Sequence, residues 1–272
     1  MYHRVVRFLF DHRALPQRLL RRLAPEPIPV DFPDFRLLVR LDDWAVGVRI
    51  AVKRSYEPHV TRVMRSFLTP GMSVIDVGAN IGYFTMLAAS RVGPTGRVAA
   101  FEPSPDNLDL LKRSAAANGF ANVETHTLAV ADEPGTVTFS MDDSNGGIHR
   151  GEPGVSAVLV PAVALDGFLP PGYRVDLIKI DVEGSEGLAV KGMQDLLARQ
   201  RPVLFCEFTP AALPRFSRMS AEEYLDLLRG LGYALRVIPL AGELPPPEDN
   251  PSIMRRFVAA RTDHVDLLAT PV

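Results

Sequence analysis

Residues 74–84, VIDVGANIGYF, restrict the fold of this chain more than any other stretch. An apolar run ends in an acid, and two glycines, Gly78 and Gly82, follow four residues apart. A buried strand that passes through a glycine turn into a helix is typical of a sheet that binds a nucleoside or a phosphate at its edge. The usual dinucleotide turn has a third glycine in the middle, where this chain has Asn80. The turn therefore predicts a ligand at this edge and leaves its identity open.

Predicted strands and helices alternate along the chain around this turn. Helices are predicted over residues 83–92, after the Ser104-Pro105 cap, and from the fourth strand to about residue 199. Strands alternating with helices imply an α/β fold with a doubly wound, mostly parallel, Rossmann-like sheet. The seven predicted strands span residues 73–77, 97–102, 123–130, 175–180, 203–208, 233–238 and 256–260.

Three stretches flank or interrupt this alternation. Residues 24–33 are rich in proline, and residues 35–52 predict two short strands around an Asp-Asp turn. We predict that residues 1–55 form an N-terminal extension of helix and strand that packs on the core, and that residues 56–272 form the main domain. Within it, residues 135–161 predict strand, loop and strand, a β-rich, hairpin-like insertion whose glycine-rich loop is placed to contact a substrate.

Charge, cysteine content and hydropathy exclude several classes of function. The 272 residues carry a formal net charge of -2, which argues against broad nucleic-acid binding. The single cysteine excludes an internal disulfide and a cysteine-built metal site. No apolar run is long enough to span a bilayer, so we expect no transmembrane segment and a cytoplasmic enzyme. Residues 1–23 hold six arginines and one aspartate; they could bind an anionic surface, but an amphipathic helix folded against its own domain is favoured.

The residues around the glycine turn distinguish between adenosine cofactors. Glu102 follows Gly82 by twenty residues, at the end of the second strand, where a carboxylate can accept hydrogen bonds from both ribose hydroxyls. A nicotinamide cofactor needs a glycine in the middle of the turn for its pyrophosphate, and Asn80 places a side chain there. S-adenosylmethionine has no phosphate, and its amino-acid end suits an acid such as Asp76 with an amide and backbone N–H groups. The turn therefore favours S-adenosylmethionine.

Four motifs in order carry a resemblance to a known family. VIDVGANIGYFT, FEPSP, LIKIDVEGSE and PVLFCEFTP resemble the FkbM family of S-adenosylmethionine-dependent methyltransferases. The resemblance covers roughly residues 56–260, and KIDVEG is its most distinctive part. It implies the class I methyltransferase fold, a Rossmann-like sheet with an antiparallel last strand. It also implies methylation, mostly of hydroxyl groups on sugars, polyketides and other natural products, and in some members of carboxylates or nitrogen.

The resemblance implies a cofactor site by position. Glu57 lies in a motif that could close over the cofactor, although an acid at a helix N-terminus is also stabilised by the helix dipole. The other implied residues are Asp76, Gly78, Asn80 and Gly82 around the methionine, Glu102 at the ribose, Pro103 beside the adenosine, and Val130, Ala131 and Asp132 facing the adenine.

An acid cluster after the fourth predicted strand supplies the catalytic candidates. Acids at a strand's carboxyl end beside the cofactor favour a functional role for Asp181 and Glu183, whereas Glu186 is expected to cap the next helix. Either Asp181 or Glu183 could remove the proton of an acceptor hydroxyl. His149, in the insertion, is an alternative base, and Lys179 is expected to pair with an acid.

A metal ion is not favoured by the sequence. Glu207 ends the fifth strand, and with Asp181 it resembles the acid positions at which catechol-type methyltransferases hold a divalent cation. The Asp-Asn pair of those enzymes is absent, and no two histidines have a metal-ligand spacing. We therefore predict no metal; Asp181 and Glu207 would be the ligands if one bound.

Two other functions stay open beside a small-molecule O-methyltransferase. A nicotinamide-dependent oxidoreductase would use the same sheet, but Asn80 counts against it. A non-catalytic binding protein would use the basic N-terminus, but its cofactor turn would be degenerate. The predicted partner is a small-molecule acceptor and not a nucleic acid; the sequence does not identify the acceptor or decide between a monomer and a homodimer.

Overall fold

The computed structural model describes residues 26–140, 148–149 and 157–272. The strands are β1 Ile28–Asp31, β2 Arg36–Val39, β3 Ser73–Val77, β4 Arg97–Phe101, β5 Val123–His126, β6 Ala129–Val130, β7 Gly135–Ser140, β8 Ile148–His149, β9 Ala157–Val163, β10 Leu177–Ile180, β11 Val203–Phe208, β12 Tyr233–Val237 and β13 Val265–Pro271. The helices are α1 Gly47–Lys53, α2 Pro58–Phe67, α3 Tyr83–Val92, α4 Pro105–Asn118, α5 Leu165–Phe168, α6 Glu186–Lys191, α7 Gln194–Gln200, α8 Leu213–Phe216, α9 Ala221–Gly230 and α10 Asn250–Ala260. Within these ranges, none of the helices combines the length and the apolar character that a membrane crossing requires.

Seven of the described strands form the central sheet, in the order β12-β13-β11-β10-β3-β4-β5. β11, β10, β3, β4 and β5 run parallel, and β13 is antiparallel to both of its neighbours. Every residue of β3 is buried, as expected for a parallel strand covered by helices on both faces. The predicted α/β class, the mostly parallel seven-stranded sheet and its antiparallel last strand are confirmed, and the strand order is that of the class I methyltransferase fold.

The described part of the N-terminal extension packs on one face of this sheet. β1 and β2 pair as an antiparallel hairpin, and Val30, Leu37 and Ile50 share a buried apolar cluster with residues of α3 and α4. The second strand predicted within residues 35–52 is wrong, because residues 47–53 form helix α1. The Asp43 carboxylate accepts hydrogen bonds from the N–H groups of residues 45, 46 and 47 and so starts a helix where alternating valines predict a strand.

Two other predicted strands are corrected. The segment 256–260 belongs to helix α10, whose N-cap Asp249 accepts a hydrogen bond from the Ser252 N–H; the last strand is β13 instead. The segment 123–130 breaks into β5, in the central sheet, and β6, in a second sheet of order β6-β9-β7-β8. β7 and β9 are the two strands predicted within residues 135–161, paired antiparallel, and the loop residues 141–147 and 150–156 lie outside the described residues.

Candidate active site

One pocket lies at the carboxyl ends of β3, β4 and β10, the edge at which open α/β sheets bind ligands. Its empty space, with the adjoining open solvent, is about 780 Å³, a size that suits a nucleoside-sized ligand. The sequence-predicted residues that line it are Asp76, Gly78, Asn80, Glu102, Pro103, Val130, Asp181 and Glu183. Six of the ten cofactor candidates and two of the three catalytic candidates thus share one cavity.

The two glycines of the turn are required by contacts within the protein. Gly78 has φ +80°, and a Cβ there would lie 1.8 Å from the carbonyl oxygen of Asp181. Gly82 has φ +92°, and its Cβ would lie 2.6 Å from Cγ of Leu111 on α4. The glycines therefore let the turn pack against the end of β10 and against α4, whereas the sequence predicted that they admit a ligand. Gly82 is not part of the pocket lining.

Glu102 joins the turn to the end of β4. Its Oε2 accepts a hydrogen bond from the Asn80 N–H at 2.8 Å, and its Oε1 accepts one from the Ser104 N–H at 2.8 Å. Burial raises the pKa of Glu102 to about 7, although these backbone donors favour the charged form. The side-chain Oδ1 of Asn80, which the sequence assigned to the methionine, accepts a hydrogen bond from the Ile81 N–H at 2.7 Å. The link between Glu102 and Asn80 has no signal in the sequence.

Asp76 offers an acceptor atom at the bottom of the pocket. Its Oδ2 accepts a 2.6 Å hydrogen bond from the Thr85 hydroxyl, and its buried Oδ1 has no partner within the described residues. Burial raises the pKa of Asp76, while the nearby Lys179 ammonium lowers it. A buried carboxylate oxygen without a donor is costly, so a hydrogen-bond donor from a ligand would stabilise Asp76.

Lys179 supplies the positive charge of the site. Its Nζ lies 2.5 Å from Oδ2 of Asp181 and 4.5 Å from the ring centroid of Phe84, and the side chain is buried. Burial lowers the pKa of Lys179, but the carboxylates of Asp181, Glu57 and Asp76 outweigh it and raise the pKa above its ordinary value. The predicted pairing of Lys179 with an acid is confirmed.

Three acids meet where β10 and β11 end. Asp181, Glu183 and Glu207 each place a carboxylate oxygen within 4.8 Å of the other two. Burial raises the pKa of Glu183 to about 7 with a further contribution from Asp181, and it raises the pKa of Glu207 well above its ordinary value. Three carboxylates could hold a hard divalent cation. Asp181 and Glu207 are the two that the sequence analysis gave as ligands if a metal bound.

The Glu186 side chain hydrogen-bonds to the backbone of the turn that precedes it. Its Oε1 accepts hydrogen bonds from the N–H groups of Val182 at 3.2 Å and Gly184 at 3.0 Å. Glu186 does lie in the first turn of α6, where an acid is stabilising, but these bonds go to the preceding turn and not to the N–H groups of the helix, so the capping role stays a prediction. These bonds fix the conformation of the turn that carries Glu183, which has φ +53°.

The remaining candidates lie outside the pocket lining. Glu57 precedes α2 beside Tyr56, which does line the pocket; Ala131 is buried, and its N–H donates to the Val163 carbonyl oxygen. Asp132 does not line it either, and the side chain of His149 lies outside the described residues. Sequence reasoning missed the apolar and aromatic lining, which carries no motif of its own: Val46, Tyr56, Phe84 and Phe139.

Several curated proteins similar to this chain are methyltransferases. A curated relative is the 31-O-demethyl-FK506 methyltransferase FkbM of Streptomyces tacrolimicus, 28% identical over 62% of this chain and 75% of the relative. Methyltransferase 1 of Beauveria bassiana is 28% identical over 45% of this chain and 58% of its own length. The protein-L-isoaspartate O-methyltransferase of Triticum aestivum is 29% identical over 47% of this chain and 59% of its own length. The chain thus spans less than two thirds of the length of these last two relatives.

Among solved structures, the methyltransferase FkbM from Methylobacillus flagellatus KT is 16% identical. The similarity covers 82% of this chain and 52% of that one, with a TM-score of 0.46. The model of the methyltransferase FkbM domain family matches residues 76–235, which is more than half of the chain and includes the glycine turn, Glu102 and the acid cluster. The chain therefore belongs to the FkbM methyltransferase family.

Proposed function

We propose that this chain uses S-adenosylmethionine to methylate a hydroxyl group of a small molecule. One observation carries the proposal: two kinds of acid line the same pocket. Asp76 and Glu102 are suited to bind the cofactor, and Asp181 and Glu183 are suited to remove a proton from the acceptor. Bound S-adenosylmethionine supplies an electrophilic methyl group on a sulfonium centre. The protein then has to align donor and acceptor and take up one proton.

The residues present fit the cofactor. The orphan Oδ1 of Asp76 can accept a hydrogen bond from the ammonium group of the methionine end. Glu102 keeps lone pairs beyond its two backbone bonds, and these can accept from the ribose hydroxyls. Among the described lining residues Lys179 is the only cation, and it is already paired with Asp181, so a pyrophosphate has no free counter-ion. This disfavours the nicotinamide alternative.

Two acids have different roles at the methyl-transfer end of the pocket. Glu183 has a pKa of about 7, which suits a base that must be unprotonated before the reaction and protonated after it. We assign to Glu183 the acceptor's hydroxyl proton, taken up as the oxygen–methyl bond forms and the sulfur–methyl bond breaks. Asp181, held by Lys179 through one oxygen, keeps the other to orient the acceptor hydroxyl.

The charge of the pocket supports a neutral acceptor. Asp76, Glu102, Asp181 and Glu183 line it against one lysine, so a carboxylate acceptor would meet repulsion. The Streptomyces relative is named for 31-O-demethyl-FK506, which supports an oxygen acceptor on a small molecule. Action on a small molecule in the cytoplasm, and not on nucleic acid, is part of the same proposal and agrees with the net charge of -2.

The proposal is tested with methyl-labelled S-adenosylmethionine. The purified chain is incubated with a panel of sugars, macrolides and simple alcohols, together with a carboxylic acid and an amine as competing acceptor classes. We expect label in an ether product, and a thermal shift with S-adenosylmethionine that NAD does not cause. Stabilisation by NAD alone, or label only in an ester or an N-methyl product, would contradict it.

A further inference from the structure

The turn before α2, which holds Tyr56 and Glu57, contributes Tyr56 to the pocket lining. Tyr56 lines the pocket with Lys179 and Asp181, and its ring lies 5.3 Å from Tyr83 and 6.1 Å from Phe84, between ring centroids. Burial, and then the carboxylates of Glu57, Asp181 and Glu207, raise the pKa of Tyr56 well above its ordinary value. Its hydroxyl therefore stays protonated at neutral pH, and Tyr56 shares the pocket lining with Asp181 and Glu183.

The backbone of this turn is held in an uncommon conformation. Glu57 has φ +38° and ψ +64°, in the left-handed region that a non-glycine residue enters only at a cost. Such a conformation persists where the surrounding structure over-determines it, and it is common at functional sites. Thr61 supplies one restraint, because its hydroxyl donates a 2.9 Å hydrogen bond to the Tyr56 carbonyl oxygen.

A second restraint on this turn comes from a residue far away in the sequence. Nε2 of His59, in the first turn of α2, lies 2.7 Å from Oδ2 of Asp266 on β13, and both side chains are nearly buried. Asp266 lies opposite Glu207 in the β11–β13 register, so this strand also borders the acid cluster. The pair therefore ties the Tyr56–Glu57 turn to the strand next to the methyl-transfer end.

We propose that His59 and Asp266 are positioning residues that hold the Tyr56–Glu57 turn against the sulfonium end of bound S-adenosylmethionine. The inference rests on the proposed function. It assigns a role to Tyr56, His59 and Asp266. The resemblance includes the stretch SYEPHV, which contains Tyr56 and His59, but gave neither residue a role, and Asp266 lies outside the quoted motifs.

The predicted signature is discrimination between two ligands. S-adenosylmethionine and S-adenosylhomocysteine differ in the methyl group and the positive charge on sulfur. A correctly placed Tyr56 phenol acts on that difference together with the acids at the methyl-transfer end, whereas the adenosine side of the pocket contacts atoms that both ligands share. A displaced turn therefore lowers the affinity for S-adenosylmethionine relative to S-adenosylhomocysteine, and a general loss of stability lowers both affinities together.

Calorimetric Kd values for both ligands, measured on the full chain, test this. We expect His59→Ala to reduce the preference for S-adenosylmethionine by about fivefold or more, and His59→Gln, which keeps an N–H donor, to restore it to within about twofold. Arg65→Ala is the matched control, because Arg65 ties the other end of α2 to Asp34. It should leave the ratio of the two Kd values unchanged.

An unchanged ratio in His59→Ala, or an equal loss in Arg65→Ala, would overturn the inference. If His59→Ala does not fold, Tyr56→Phe serves instead, since it removes only the hydroxyl; an unchanged ratio there also overturns it. A wild-type chain that binds neither ligand contradicts the proposed function itself, a result distinct from wild-type binding with an insensitive ratio.

Discussion

At the scale of single residues, Glu102 combines a structural task with the proposed binding task. Its carboxylate accepts hydrogen bonds from the N–H groups of Asn80 and Ser104, so it fixes the glycine turn and the start of α4 relative to each other. The same side chain lines the pocket. Stability and cofactor affinity are therefore coupled at this position.

Replacing Glu102 separates these two effects. We expect Glu102→Ala to weaken S-adenosylmethionine binding by at least about tenfold and to cost about 1–3 kcal/mol of unfolding free energy, because one buried and one half-buried backbone donor lose their acceptor. Calorimetry and urea unfolding measure the two quantities. Glu124→Ala, at an exposed position on β5, is the control of equal charge change. Full affinity in Glu102→Ala would contradict the ribose assignment.

Asp181→Ala tests the catalytic end of the pocket. We expect it to abolish methyl transfer, because the acceptor loses its orienting carboxylate, while S-adenosylmethionine still binds within about fivefold. Turnover assays and calorimetry check the two statements. Retained turnover would remove Asp181 from the catalytic residues.

Gly78 can be compared with a glycine of similar conformation and different surroundings. Gly78 has φ +80° and meets the Asp181 carbonyl, whereas Gly119 has φ +68° and no atom within 4 Å of an added Cβ. We expect Gly119→Ala to cost about 1 kcal/mol and Gly78→Ala at least about 3 kcal/mol, because only the latter forces β3 and β10 apart. Urea unfolding measures both. Equal costs would show that backbone conformation alone requires Gly78.

At the scale of elements, patterns that are local in sequence were the ones that could be predicted. β3 is buried along its whole length, and Ser104 with Pro105 begins α4, as predicted. The sequence predicts a strand in place of α1 because valines alternate there. The signal that favours a helix is Asp43, whose carboxylate accepts hydrogen bonds from the N–H groups at the helix start. The His59–Asp266 pair joins residues 207 positions apart, a distance that no local pattern encodes.

The ends of β10 and β11 determine whether a metal is needed. Lys179 already places a positive charge on Asp181 at 2.5 Å, which is the neutralisation that a cation would provide. We therefore expect the wild-type chain to keep its methyl-transfer activity in EDTA. We expect the Lys179→Met variant to lose that activity. Loss of transfer in EDTA with recovery on adding Mg²⁺ would instead assign Asp181, Glu183 and Glu207 to a cation.

At the scale of the whole molecule, the site concentrates buried acids that oppose folding at neutral pH. Burial raises the pKa values of Glu57, Glu102 and Glu186 from 4.5 to about 7. A carboxyl with a raised pKa binds its proton more tightly in the folded chain than in the unfolded one. Its stabilising contribution is complete below pH 4.5 and is lost as the pH rises through about 7.

The ligand-free chain should therefore melt at a lower temperature at pH 8 than at pH 5.5, by about 5 °C or more. Differential scanning fluorimetry at the two pH values measures this. Glu102→Gln should reduce the difference, because it removes one of the titrating groups. A Tm that rises with pH would contradict the sign.

The position of β13 has a consequence for how the chain is assembled as it is synthesised. β13 follows β12 in sequence but lies between β12 and β11 in the sheet. A nascent chain that has emerged only as far as β12 has no place on the sheet for that strand, and the gap closes when residues 265–271 insert. Asp266 belongs to the inserted strand, so we expect a chain that still lacks β13 to form the proposed adenosine side of the site before the proposed methyl-transfer side. We therefore expect the sheet and the site to be completed in the same folding step.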